Sequence, residues 1–330
     1  MSVEKIGSEK KSMRTSQLLI FISKYGTLIA MAAMLIIFGA LAPNGSFLTF
    51  DNLINIVDQS ALTAIIACGL TIVLVVGEFD LSLGYVASLA GVLVTGLVVK
   101  QHLSLGLSIV ITLAVGAVIG AINGVVITKA RVNAVVATLG VGTVVIGLSF
   151  GYTAGSPIVA VPDSFPKLAL GTIFGIPNPI WLMIFVLTLL WIVLNRTPLG
   201  QKIQAVGGNL HAAHLAGIRT DRIKVYSFVI AGGLAALTGV MLASSLGSGT
   251  VSAADSYLLD SFAAVFLGSA TFRDGEFHII GTLIGVLVVN IGFNGLSQVG
   301  TPTFWQYIFK GGILVMAVAL STIARRYAKK

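Results

Sequence analysis

Six ionisable side chains stand within or beside long apolar runs: Asp58, Glu78, Asp80, Asp255, Asp260 and Lys310. A charge at that depth in hydrocarbon is costly, so each must find a partner, line a water-filled cavity or reach the surface. Glu78 and Asp80 lie between Gly77 and Gly84. Two readings stand for them: solvated groups at the cytoplasmic end of two spans, or part of a broken helix that lines a cavity. Asp80 is expected to cap a helix starting at Leu81 by accepting backbone N–H bonds; contact with a solute hydroxyl is the sharper reading. Lys310, between Tyr307 and Gly311-Gly312, either snorkels outward or pairs with Asp260 or Asp255. Asn290, Phe293, Asn294 and Gln298 offer amides and a ring, the groups that hold an uncharged polar solute weakly enough to release it. Asn290 and Asn294 are four apart on one helix face, and bonding to a neighbouring helix is the favoured reading for them.

Several chemistries are missing. No Gly-Lys dipeptide occurs, so the chain cannot build a phosphate-cradling Gly-x-x-x-x-Gly-Lys-[Ser/Thr] loop. The single cysteine, Cys68, allows no internal disulfide, and His211 and His214 have no metal-ligand companions in spacing. No catalytic or metal residue is assigned. Of the 330 residues, 56% are hydrophobic and 10% charged, and the mean hydropathy is +1.00. That excludes a soluble fold and a disordered chain, and leaves an all-α polytopic membrane protein. The net charge of +8 reads as topology signals and headgroup anchors rather than as a nucleic-acid surface.

The elements that must position these groups are about ten apolar runs of crossing length: Gly26–Ala42, Leu53–Val76, Leu81–Val99, Leu103–Ile127, Ala134–Tyr152, Pro179–Leu194, Tyr226–Leu246, Tyr257–Ser269, His278–Leu296 and Phe304–Ile323. The eighth is short, holds Asp260 near its start and reads as a tilted or broken helix. Seventeen basic residues fall on one set of ends, and only Lys100 and Lys167 on the other. Both termini are therefore expected in the cytoplasm. One transmembrane domain covers 1–330, with tails at 1–25 and 324–330, a cytoplasmic loop at 195–224 and an outward loop at 153–178 rich in Pro. The run at Ala40-Leu41-Ala42 resembles a signal-peptidase site, but Pro43 follows directly, so a retained first helix is expected. Gly116-x-x-x-Gly120 and Gly281-x-x-x-Gly285 allow helices to approach closely.

The cytoplasmic loop is punctuated. Pro198 suits a first helical position, and Gly207 and Gly208 end that helix. Asn209 can cap a second helix over Leu210–Ala216, and Gly217 can end it. Two turns, about 10 Å, are too short to stand alone in water. The segment must pack on its own bundle or dock into a groove of another subunit, and punctuation favours neither.

Five ordered stretches carry a resemblance to a known family. They are Gly77-Glu78-Phe79-Asp80-Leu81-Ser82-Leu83-Gly84; Asn133 to Gly140; Gly200, Gly207-Gly208-Asn209, Ala212-Ala213 and Ala216-Gly217-Ile218; Ala263 to Ser269; and Gly281 to Gly285. From about Asp51 to Ile323 the chain resembles the ribose-type sugar permeases of bacterial ABC importers. Glu78-Phe79 departs from the more usual Gly-Ile, and Phe272 to Glu276 from a run of small residues; both bear on the solute. The resemblance implies the type II, vitamin-B12-importer-like permease fold in the cell inner membrane. It implies a cytoplasmic ATP-binding subunit that holds ATP and Mg, a periplasmic or extracellular solute-binding protein, and a second permease copy. Gly200, Gly207, Gly208, Asn209, Ala212, Ala213, Leu215, Ala216 and Gly217 then belong to the loop that couples to the ATPase. The binding protein is expected on the loops Ala42–Asp51 and Ala154–Asn178. The substrate pathway is expected at Glu78, Asp80, Asn290, Phe293 and Asn294. An ion-coupled secondary transporter and a passive channel for a small polar solute are the rival functions.

Overall fold

The computed structural model describes residues 25–272 and 275–328. The expected N-terminal tail lies almost wholly outside them, as do Arg273, Asp274 and the last two residues of the C-terminal tail. The apolar helices in chain order are α1 (Tyr25–Leu41), α2 (Phe50–Val75), α3 (Leu83–Val99), α4 (Leu105–Lys129) and α5 (Ala134–Thr153). A short α6 (Lys167–Leu170) and a two-stranded ribbon of β1 (Thr172–Ile173) and β2 (Ile176–Pro177) precede α7 (Asn178–Arg196). Then come α8 (Pro198–Gly208), α9 (Leu210–Leu215), α10 (Thr220–Leu246), α11 (Asp255–Ser269), α12 (Ile279–Gln298) and α13 (Phe304–Ala328). Every expected run is helical. Helices α2, α4, α5, α7, α10 and α12 are long and apolar enough to cross a membrane; α1, α3 and Phe304–Ala319 of α13 are shorter apolar helices. The Pro-rich loop after α5 is structured. It carries α6 and the ribbon, and Ile158 pairs with Gly249.

Small residues set the packing. Gly116 and Gly120 of α4 face Gly232 and Phe228 of α10 so closely that a methyl group on either would overlap the opposing backbone. Gly281 and Gly285 of α12 meet Gly268 and Ala264 of α11 in the same way. Both small-xxx-small runs are thus tight helix seams. α2 is the central helix and is enclosed from Ser60 to Leu74. It runs antiparallel to α12, because Asn52 bonds Asn294 while Thr71 bonds Thr282. α12 is antiparallel to α11 by the Gly268–Gly281 and Ala264–Gly285 contacts. α3 lies parallel to α10, where Gly239 packs on Ala87 and Ala90 and Gly91 on Ala243. α10 opposes α2, with Gly69 on Ala231 and Leu62 clustered with Met241. It follows that α3 and α11 point in opposite directions.

Candidate functional site

The hairpin α8–α9 follows its punctuation. Pro198 occupies the first turn of α8, and Thr197 Oγ1 accepts the Gly200 N–H at 3.3 Å. Asn209 Oδ1 accepts the Ala212 N–H at 2.9 Å, which caps α9. Gly217 adopts φ 79° just past α9, a conformation open to glycine. The two helices differ in burial. Gly200, Ile203 and Val206 of α8 are buried. Gly207 lies against the Val75 carbonyl at the end of α2, where any Cβ would collide. Its role is close approach as well as termination. α9 buries only Ala213. Leu215 is 74% exposed, Leu210 and Ala212 are also exposed, and a Cβ on Gly208 would meet nothing. α9 is thus a short capped helix held out on a buried stalk.

That stalk touches the connection between α2 and α3. Gly77 packs on Gly207 and takes φ 91°. Residues 78–82 carry no helix. Glu78 forms an ion pair with Lys224 of α10, each partner largely buried. Asp80 is fully buried. Its Oδ1 accepts the Ser82 N–H at 2.8 Å and the Ser82 hydroxyl at 2.6 Å. Asn123 of α4 donates to Ser82 Oγ at 2.8 Å, and Thr138 Oγ1 of α5 accepts the Leu81 N–H at 3.0 Å. The expected Asp80 cap on a helix from Leu81 needs correction. The helix begins at Leu83 with Ser82 at its N-cap position, no side chain caps its first turn, and Asp80 instead holds Ser82 itself.

The other candidates divide. Asn294 and Asn52 exchange two 3.0 Å hydrogen bonds, and Gln298 donates to Asn52 at 3.1 Å. Asn290 donates to the Val286 carbonyl of its own helix at 3.0 Å. The neighbouring-helix reading therefore holds for Asn294 and not for Asn290. Phe293 meets Phe309 edge-on at 5.9 Å, and Lys310 lies over its ring at 5.3 Å. Lys310 pairs with Asp260, Nζ to Oδ1 2.6 Å. Glu78 and Asp80 share one connection, whereas Asn290, Phe293 and Asn294 lie on α12; no bond joins the two groups among the described residues. Sequence reading passed over Lys224, Ser88, Asn123 and Phe262. Lys224 was counted only as a topology charge, and no local pattern marks the other three.

The described residues form a many-spanned helical bundle with a capped hairpin at one end, the architecture of a polytopic membrane protein. The family model described as branched-chain amino acid transport system / permease component matches residues 52–318, and the chain belongs to that family. The ribose import permease protein of Bacillus subtilis is 37% identical over 97% of this chain and 98% of its own. That of Haemophilus influenzae is 36% identical over 90% and 93%. The L-arabinose transport system permease protein of Escherichia coli is 33% identical over 93% and 92%. No solved structure matches the chain. The protein is a multi-pass ABC importer permease of the ribose type.

Proposed function

We propose that this permease moves a neutral monosaccharide, a ribose-like pentose or a hexose, across the cell inner membrane. It is driven by ATP bound with Mg on a separate cytoplasmic subunit. α9 enters a groove of that subunit, and the buried stalk α8 passes its movement to the end of α2. The observation that carries this reading is the contrast within the hairpin: a capped two-turn helix with Leu210 and Leu215 exposed, on a helix whose Gly207 is locked against Val75. Such a helix is not stable alone and exposes apolar groups that need a partner. The sugar follows from the ribose and L-arabinose relatives. The family description that names branched-chain amino acids covers a wider set.

Ten crossings, both termini in the cytoplasm, the type II fold and pairing with a second permease copy complete the reading. The basic residues Arg196, Lys202, Arg219, Arg222 and Lys224 cluster at the α8–α9 end and support that orientation. The opposite end carries residues 42–51 and 154–178, with Phe174 94% exposed at the ribbon tip, and receives the solute-binding protein.

The test is co-expression with the neighbouring genes, co-purification, and sugar uptake in proteoliposomes. The expected result is a complex with an ATPase and a binding protein whose uptake requires ATP and resists a protonophore. Gly208→Trp fills open space on the hairpin and is expected to abolish uptake without unfolding the permease. Uptake by the permease alone that a protonophore abolishes would establish the ion-coupled rival; flux without ATP would establish the channel.

A further inference from the structure

α11 does not begin at a membrane surface. Gly249, bridged to Ile158 of the outward loop, lies against Thr95, Gly91 and Val92 of α3. By Ala254 the chain has descended to Ser88, whose Oγ accepts the Ala254 N–H at 3.0 Å and donates to Asp255 Oδ1 at 2.9 Å. A Cβ on Gly84 would meet the Ala254 carbonyl at 3.1 Å and Leu258 at 3.3 Å. Ser88 stands about 16 Å along α3 from its Val99 end, at 1.5 Å per residue. The opposed helices α3 and α11 therefore meet start to start inside the bundle. Each is preceded by a non-helical connection, 76–82 from the α8–α9 end and 247–254 from the other.

Irregular backbone at such depth is tolerated only against protein or a water-filled cavity. One side of connection 247–254 is covered by α3. Ser252 of that connection is exposed, as is Ser256 in the first turn of α11, beside the half-buried Asp255. Neither serine hydroxyl has a hydrogen-bond partner among the described residues.

Asp255, Ser256, Leu259, Phe262 and Phe266 fall on one face of α11. Past the exposed Leu259 the face turns aromatic. Phe262 stacks on Phe79 at 6.4 Å and on Phe266 at 6.3 Å, and Phe266 meets Phe277 edge-on at 5.3 Å. Phe79 remains 40% exposed. It sits next to Glu78, which Lys224 holds, and two residues from Gly77, which touches Gly207. Asp260, one turn beyond Ser256 on the same helix, pairs with Lys310.

We propose that α11 and the connection 247–254 form one wall of the solute path, with Asp255 and Ser256 accepting and donating to sugar hydroxyls and the stacked Phe79 and Phe262 closing the α8–α9 end. This rests on the reading of the chain as a sugar permease. A carboxylate and free hydroxyls suit an uncharged polyol, while a constriction of rings excludes water until it parts. The contacts of Gly207 with Val75 and Gly77 tie the Phe79 segment to α8, so displacement of the hairpin moves one ring of the closure.

The assembled complex in proteoliposomes tests it. ATP-dependent sugar uptake by the unaltered complex is measured first; its absence rejects the sugar-permease reading itself. With uptake present, Ser256→Cys and Leu259→Cys are made in a Cys68→Ser background, since Cys68 is the one cysteine and is buried. Both are expected to react with a charged methanethiosulfonate at least about tenfold faster than the buried Cys68 of the unaltered complex, and saturating sugar slows the reaction. Asp255→Asn lowers the sugar moved per ATP hydrolysed by about tenfold or more, the scale of a lost hydrogen bond to a charged group. Phe79→Ala admits sugar without ATP. Thiol rates equal to that of Cys68 in the unaltered complex, or rates that sugar leaves unchanged, overturn the wall assignment even if Asp255→Asn fails to assemble. So does unchanged coupling in both Asp255→Asn and Phe79→Ala.

Discussion

The two helices of the α8–α9 hairpin are adjacent in sequence and differ in how they are anchored. α8 is fixed from both ends: Gly200 packs on the carbonyls of Val193 and Leu194, and Gly207 on that of Val75. Gln204 adds a 2.6 Å hydrogen bond to the Leu194 carbonyl. α9 has its Asn209 cap and one buried alanine, and otherwise faces outward. A rigid element with an exposed tip transmits force; two mobile elements would absorb it. On the proposed reading α8 transmits and α9 recognises, and substitutions in each should fail in different ways.

The largest effect is expected for Gly207→Val. The new side chain collides with backbone that cannot rotate away, at a cost of about 1–3 kcal/mol or more. The melting temperature of the purified permease should fall and uptake should be lost. A stable Gly207→Val protein with normal uptake would mean that α8 is not locked on α2.

Leu215→Asp should leave the melting temperature of the permease unaltered, because exposed substitutions stay within about 0.5 kcal/mol. Association with the ATP-binding subunit should weaken by about tenfold or more, as for a central apolar contact. Equal binding by the two proteins in a pull-down titration would remove α9 from the interface.

Asn209→Ala should be milder. Loss of the cap costs about 1 kcal/mol of α9 stability, seen as a several-fold drop in ATPase association, and Asn209→Ser should restore most of it. If alanine and serine behave alike, the 2.9 Å bond to the Ala212 N–H contributes nothing to the interface.

Much of this hairpin was legible in the sequence. Pro198, Asn209 and Gly217 act on backbone within one turn, so their types announce where α8 and α9 start and stop. The apolar runs announced the helices for the same reason, with ends within a few residues. Gly207 was read as a helix terminator, yet its tightest constraint is Val75, more than a hundred residues earlier; nothing local encodes that contact. Lys310 had two candidate acids and found Asp260. Asn290 and Asn294 looked equivalent by spacing, but only Asn294 faces Asn52. The connection around Asp80 was left between surface and broken helix. Its bonds through Ser82 to Asn123 and from Leu81 to Thr138 place it among α3, α4 and α5.

By itself the sequence determined a polytopic helical membrane protein, its apolar helices, the caps of α8 and α9, and the lack of a Gly-Lys dipeptide for a phosphate loop. Each of these depends on composition or on residues a few positions apart. The tertiary structure alone decided which charges pair, that Gly207 abuts Val75, and that α3 and α11 start against each other within the bundle. Those outcomes depend on contacts between segments far apart in the chain. They are fixed by how helices pack, and no local propensity carries that information.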